Sequence, residues 1–118
     1  MNYQDMSDFE INKAVAIAIG YSPEMCEQGW EGSSKVGVEW ENESGYPSRW
    51  FDYCNSWADT GPILEESGIT IIMDHPSMPL ATNNCVGWYS DEEKPLHHAN
   101  ENPRRAGLVV FLMMKGGE

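Results

Sequence analysis

The sequence predicts an α+β fold, with a small, mostly antiparallel sheet of three or four strands packed with three helices in the order α-β-(β)-α-β-β-α. Two observations carry this prediction. An apolar helical stripe with a capping box lies near the start, helix-start residues precede segments in the middle and at the end of the chain, and short alternating or β-branched runs lie between these segments. Several connections are of hairpin length, which favours antiparallel pairing. Because 118 residues suffice for one core, we expect a single domain, 1–118.

The first helix has the clearest start signal. Ser7 and Glu10 have the spacing of a capping box, in which each side chain accepts a hydrogen bond from the other residue's backbone N–H. An apolar stripe follows, and Gly20 can end the helix in a left-handed turn. These signals predict a helix over residues 7–19.

The segment after this helix changes from loop to strand. Residues 21–34 have no apolar period and contain several helix breakers. Apolar residues then alternate with polar ones and glycine over residues 35–40, which predicts an outer strand with one exposed face. The aromatic-rich residues 49–53 are its predicted hairpin partner.

The capping residues and Pro62 in the middle of the chain predict a second helix over residues 56–67, with a kink or break at Gly61-Pro62. The β-branched run 69–73 is typical of an interior strand covered on both faces. We expect a further strand at 85–89 and a polar loop at 90–101.

The last helix begins at Asn102-Pro103, a strong start pair, and residues 106–114 carry no polar side chain. We expect this helix to lie between the sheet and the first helix. Because both of its faces are apolar, we also expect a homodimer formed through one of them. The side chains predicted to contact a partner there are Leu108, Phe111 and Leu112.

The net charge of the chain limits which kinds of partner it can bind. Nineteen acidic and seven basic residues give a net charge of −12, which repels phosphate backbones and argues against direct nucleic-acid binding. A basic protein partner fits this charge better, although a solvated surface is the simpler explanation. Glutamates are concentrated in residues 24–43, and the ones predicted to contact such a partner are Glu24, Glu27 and Glu31.

The cellular location of the protein and the redox state of its cysteines are inferred from features that the sequence does not have. No run reaches the ~18 apolar residues that span a bilayer, and the start of the chain has no secretion signal. We therefore expect no membrane association and a cytoplasmic protein. Three widely spaced cysteines predict reduced thiols.

Residues Trp57 to Ile69, which begin in the predicted second helix, resemble the NinX-like family of small proteins from P22-type and lambda-type phages and prophages. The similar residues run from Trp57 to Ile69, preceded by Tyr53-Cys54-Asn55, and the first helix and the terminal Asn-Pro-x-x-Ala helix agree. The resemblance covers about residues 1–20 and 50–118, with 21–49 outside it. It implies a phage accessory protein made in the bacterial host cytoplasm, with no assigned activity and no catalytic residues.

Two arginines at the start of the last helix are the main candidate ligand site. Arg104 and Arg105 oppose the helix dipole, so they either pair with acidic residues of the chain or, with free N–H groups at the helix start, hold a phosphate or carboxylate. Trp57 beside the Gly61-Pro62 break offers an indole face for a planar ligand. The complete predicted ligand set is Arg104, Arg105, Trp57, Gly61, Pro62 and Trp88.

The sequence predicts no catalytic residues, no metal site and no cofactor. His97-His98, His75, Asp91 and Cys85 are metal-ligand types without ligand spacing, and no local signature supports a cysteine nucleophile. We therefore expect a non-enzymatic module that binds a host or phage protein. The alternative is a protein that binds or sequesters a small, nucleotide-like ligand.

Overall fold

The computed structural model describes residues 3–29, 32–40, 47–83 and 96–116. Within these ranges there are three α-helices and six β-strands, so the predicted α+β class is confirmed. The helices are α1 (Asp8–Ala18), α2 (Trp57–Ser67) and α3 (Pro103–Met114). The strands are β1 (Glu27–Gln28), β2 (Val36–Trp40), β3 (Pro47–Phe51), β4 (Thr70–Ile72), β5 (Leu80–Thr82) and β6 (His97–Ala99).

Local signals defined α1 correctly. Ser7 Oγ accepts from the Glu10 amide at 3.1 Å, and Glu10 Oε1 accepts from the Ser7 amide at 3.1 Å, which completes the capping box. At the other end Gly20 has a φ of 121°, and the amides of Gly20 and Tyr21 donate back into the last turn. The predicted range 7–19 is the helix with its two caps.

Helix α2 runs through Pro62 without the predicted break. Proline removes the N–H that would pair with the Ala58 carbonyl, and both residues are exposed, so water can bond that carbonyl. The residue before proline is Gly61, which has no Cβ to clash with the proline ring in a helical conformation. The predicted break at this position was therefore wrong, since residues on both sides of Pro62 belong to one helix.

The strands divide into two antiparallel three-stranded sheets, β1-β2-β3 and β4-β5-β6, rather than one. β3 is the hairpin partner of β2, as predicted. β2 is central in the first sheet, so its predicted outer position was wrong, and among the described residues β4 pairs only with β5, where an interior position had been predicted. The alternating pattern of β2 is compatible with a central strand when only one face of the sheet is covered. The apolar run of β4 reflects packing of its side chains on α3.

Two strands of the second sheet were not predicted. β5 follows the proline turn, and β6 lies inside the segment predicted as loop 90–101. The sequence of β6, His-His-Ala, has no apolar alternation, so its pairing with β5 is decided by neighbouring backbone groups. The strand predicted at 85–89 lies outside the described residues.

Helix α3 joins two parts of the core. Its eight consecutive residues 105–112 are buried. Leu108 and Leu112 pack in a cluster with α1 and the first sheet, whereas Ala106 and Val110 pack on β5 of the second sheet. A Cβ on Gly107 would lie 2.8 Å from Leu64 Cδ2, so this glycine permits the close approach of α2. The expectation that the helix lies between sheet and first helix is confirmed for the second sheet.

The three helices run in the same direction. Their first turns and the preceding caps are hydrogen-bonded to one another or to the turn at residues 52–56, and their last turns line one cavity. We call the first region the amino end of the helix group and the second region the carboxyl end. The two regions use different chemistry.

Candidate functional site

A buried asparagine holds the turn at the amino end. Asn12 is fully buried, and its Nδ2 donates to Ser34 O at 2.8 Å and to Asp52 Oδ1 at 2.9 Å. Its Oδ1 accepts from the Cys54 amide at 2.9 Å. Asp52 also accepts from Ser34 Oγ at 2.7 Å and from Asn55 Nδ2 at 3.0 Å. These bonds fix the turn against α1 and β2.

Asn102 satisfies the backbone amides at the start of α3. Its Oδ1 accepts from the amides of Arg104 at 3.0 Å and Arg105 at 3.3 Å, while Pro103 has no amide hydrogen to donate. The next amide, that of Ala106, donates to the Asn102 carbonyl. The N–H groups predicted to hold an anion are therefore already hydrogen-bonded to Asn102.

Arg105 is a structural residue in this geometry. Its side chain is largely buried, its Nη1 contacts Asp8 Oδ1 at 2.7 Å, and its Nη2 donates to the carbonyls of Tyr3 and Met6. The guanidinium thereby holds the residues before α1 against the start of α3. Of the two interpretations of this arginine, the contacts match ion pairing within the chain.

Arg104 has a different environment. Its Nε donates to Cys54 O at 3.1 Å, and its guanidinium carbon lies 5.0 Å from the centre of the Trp57 ring. The Trp57 side chain is 45% exposed. The Cys54 carbonyl also accepts from Asn102 Nδ2 at 2.6 Å, so the arginine stem and the indole are held on a rigid base. The Trp57–Arg104 contact therefore lies at the surface, with an exposed indole and a partly buried arginine.

The other predicted ligand residues do not complete a pocket around this pair. Gly61 and Pro62 continue α2 as regular helix, and no atom lies within 4 Å of a Cβ built on Gly61. Trp88 lies outside the described residues. The structure brings together Trp57, Arg104 and the occupied start of α3.

The apolar face of α3 predicted for partner binding is already covered by the chain itself. Leu108 is fully buried, and Phe111 and Leu112 are 3% and 5% exposed. The prediction that these side chains form a partner surface is therefore wrong for this fold, and the expected homodimer lacks the contact on which it depended. The physical reason is that two sheets and two helices surround α3.

The acidic residues predicted for partner binding differ in what can be said of them. Glu24 lies in a 3₁₀ turn and Glu27 in β1, and both are exposed. Glu31 lies outside the described residues. The two described glutamates are therefore available to a basic partner.

The reactive side chains are poorly placed for nucleophilic chemistry. Cys26 and Cys54 are free and buried, and burial raises the pKa of both thiols. For Cys54 the nearby Asp8 carboxylate adds to this rise. His98 is half-buried in β6, and burial, followed by the charges of Arg105 and His97, lowers its pKa. Thiols that stay protonated are weak nucleophiles and weak metal ligands.

Metal coordination receives no support from the described ranges. No group of three histidine, cysteine or carboxylate side chains in them is arranged to hold a metal ion. Two of the ligand types noted in the sequence, Cys85 and Asp91, lie outside these ranges.

A cavity of about 550 Å³ lies at the carboxyl end of the helix group. Its lining comes from the last turns of all three helices and includes Ala18, Ile19, Ile63, Glu66, Phe111 and Met114. Lys115, which follows α3, also lines the cavity, and its Nζ lies 5.5 Å from the centre of the Phe111 ring. The sequence did not predict this site, because no local pattern shows that three helix ends meet.

Sequence reasoning also missed the role of Asn12 and Asp52. The available signal was a polar residue inside the apolar stripe of α1, next to Ile11. Such a residue in a buried position requires hydrogen-bond partners, and the Asp52 carboxylate is one of them. Only the tertiary structure identifies that partner.

Comparison with known proteins places the chain in a family. No curated protein matches it. None of the helices in the described ranges is long and apolar enough to cross a membrane. A family model described as bacteriophage P22 NinX matches residues 2–115, and the match includes residues 21–49, which had been placed outside the resemblance. The chain therefore belongs to the NinX family of phage proteins.

Proposed function

We propose that this phage protein is a non-enzymatic module that binds a host or phage protein in the bacterial cytoplasm, with the Trp57–Arg104 pair as its anchor. Tryptophan and arginine are enriched among the residues that dominate binding energy at protein interfaces. Here the indole is 45% exposed and the arginine is held over it by the Cys54 carbonyl. An anchor that is already ordered loses less entropy on binding than a mobile side chain.

The charge of the chain supports a basic partner. The net charge is −12, and the exposed Glu24 and Glu27 lie in the segment where acids are concentrated. Attraction between exposed charges mainly speeds encounter, and salt screens it over about 8 Å at physiological ionic strength. We expect binding that weakens with salt and an association rate that falls when Glu24, Glu27 and Glu31 are changed together to Gln.

The small-ligand alternative has less support. It required Arg105 and the first amides of α3 as donors, and those groups bond Asp8, two carbonyls and Asn102 instead. The remaining candidates, Trp57 and Arg104, form an exposed pair. Exposed pairs of this kind suit a protein surface better than a small ligand, which binds mostly in concave sites.

The test is capture of partners from phage-infected cells with four tagged proteins: the unchanged protein, Trp57→Ala, Arg104→Met and Trp50→Ala. Trp50 is a matched control, because it is 41% exposed on β3 and lies in a different part of the surface. We expect one protein, identified by mass spectrometry, to be recovered with the unchanged protein and Trp50→Ala and to be lost with the other two variants. Equal recovery with all four, or loss with Trp50→Ala alone, would contradict the proposal.

A further inference from the structure

The cavity at the carboxyl end of the helix group has an electrostatic bias toward cations. The carboxyl terminus of each helix carries a partial negative charge of roughly half an electron, and three such ends meet here. None of the three last turns contains a basic residue. Glu66 adds a full negative charge to the lining, and Lys115 is the one base that lines it.

Backbone acceptors at this end are available. Within the described ranges no backbone amide donates to the carbonyls of Ala18, Ser67 or Met114, the final residues of the three helices. All three residues line the cavity. Carbonyls at helix ends need a donor from water, a side chain or a ligand. A group with several N–H donors that reaches these carbonyls could therefore satisfy them.

One residue that lines the cavity, Lys115, carries an ammonium group next to an aromatic ring of the lining. Lys115 Nζ lies over the Phe111 ring, 5.5 Å from its centre. An aromatic face attracts a cation through its quadrupole, most strongly when water is partly excluded. The Lys115–Phe111 contact therefore shows that one lining residue, Phe111, has an alkylammonium group at cation–π distance.

We propose that the carboxyl-end cavity is a receptor for a lysine side chain presented by the protein partner. The aliphatic part of that side chain packs on Ile63 and Phe111, and its ammonium is held by Glu66 and the helix-end carbonyls. The volume of about 550 Å³ falls in the range of ligand pockets, ~300–1,000 Å³, and leaves room beside Lys115. This proposal rests on the proposed function for its partner, and the site itself can be tested without that partner.

The first experiment titrates N-acetyl-lysine N-methylamide into the unchanged protein at constant ionic strength. The readout is the NMR signal of the Met114 methyl group, with the exposed Met73 methyl on another part of the chain as internal control. N-acetyl-norleucine N-methylamide, which has the same backbone and no ammonium, is the control ligand, and the arginine analogue tests selectivity. We expect saturable shifts of Met114 with the lysine analogue alone. No shift, an equal shift with norleucine, or preference for arginine would overturn the proposal.

Two carboxylate variants sharpen the test. Glu66→Gln is expected to weaken the lysine analogue about threefold, the size of effect that a partly exposed ion pair gives. Glu65→Gln is the matched control, because its carboxylate is on the same turn of α2 and does not line the cavity. Equal weakening by both changes would mean that only the general negative field attracts the analogue, and would overturn the assignment of the site.

Lys115→Met removes the chain's own ammonium. We expect the lysine analogue to bind this variant about two- to fivefold more tightly, since the ligand no longer competes with a cation over Phe111. Weaker binding would show that Lys115 does not compete for the site and would contradict the proposal.

The two proposals fail separately. If the analogue shifts the Met114 signal but no captured partner is lost in the Trp57 and Arg104 variants, the lysine receptor is supported and the proposed function is contradicted. If a partner is captured through Trp57 but Glu66→Gln leaves both its recovery and the analogue titration unchanged, the proposed function stands and the lysine receptor falls.

Discussion

At the amino end of the helix group, side chains accept hydrogen bonds from the backbone amides that each helix leaves unpaired, whereas at the carboxyl end backbone amides of the following turns bond several of the last carbonyls, and in the described ranges the carbonyl of each helix's final residue receives none. Ser7, Ser56 and Asn102 each accept hydrogen bonds from amides of the helix that follows. At the opposite end, glycines with positive φ terminate the helices without supplying any side chain. One end is therefore saturated with internal bonds, and the other keeps acceptors for an external group.

The residues that resemble the NinX family contribute to both ends: Trp57 belongs to the proposed anchor, and Ile63 and Glu66 line the cavity. The motif residues Cys54 and Asn55 lie at the saturated end, where they bond Asn12, Asp8 and Asn102. Their task in this fold is to hold the starts of the helices together. The features proposed here for a partner are the Trp57–Arg104 pair, the cavity and the exposed Glu24 and Glu27.

The largest expected effect tests the saturated end. Arg105→Met should lower the free energy of unfolding by about 3 kcal/mol, because Asp8 and two backbone carbonyls lose a buried charged donor. Urea unfolding followed by tryptophan fluorescence measures this. Arg104→Met is the control and should cost about 1 kcal/mol or less, since it removes one hydrogen bond and an exposed ring contact. An equal loss of unfolding free energy in both variants would contradict the different roles assigned to Arg104 and Arg105.

A smaller effect tests the open end. Gly68→Ala should destabilise the protein by about 1 kcal/mol, because residue 68 has a φ of 70°, which alanine adopts only with strain. Gly68→Asn should cost roughly half as much, since asparagine tolerates the left-handed conformation better. Thermal and urea unfolding of both variants give the comparison. Alanine and asparagine variants of equal stability would show that backbone conformation does not hold this end.

The smallest effect concerns pH. Burial, with Arg105 and His97 nearby, lowers the pKa of His98 from its ordinary value of 6.5. Below pH 6.5 the unfolded chain therefore binds a proton more readily than the folded one, and stability falls as the pH decreases through this window. We expect a larger loss of unfolding free energy between pH 7.5 and pH 5.5 in the unchanged protein than in His98→Gln. Parallel losses would exclude His98 as the source.

Much of the secondary structure was predictable because its signals are local. Helix α1 was defined by Ser7, Glu10 and Gly20, and helix α3 by Asn102 and Pro103, all within a few residues of the helix they limit. The strands were harder to predict. β5 and β6 are three residues long and depend on pairing with each other.

The candidate sites were predicted only in part. Arg104 and Trp57 were selected correctly as neighbours, since their contact gives the exposed pair. The same two alternatives, ion pairing within the chain or anion binding, were predicted for both arginines, and the contacts of Arg105 match ion pairing. Nothing in the residues around two adjacent arginines indicates which of them will meet an acidic partner from another part of the chain.

The sequence by itself determined the α+β class, the three helices, their capping residues and the all-round apolar character of the last helix. The tertiary structure decided the division into two sheets, the burial of Arg105 and the meeting of three helix ends at a cavity. The reason is the range of the interactions: a cap joins residues about three positions apart, whereas Arg105 and Asp8 are separated by 97 positions. Such contacts exist only after the chain has folded, and they depend on which faces of the helices the core has already covered.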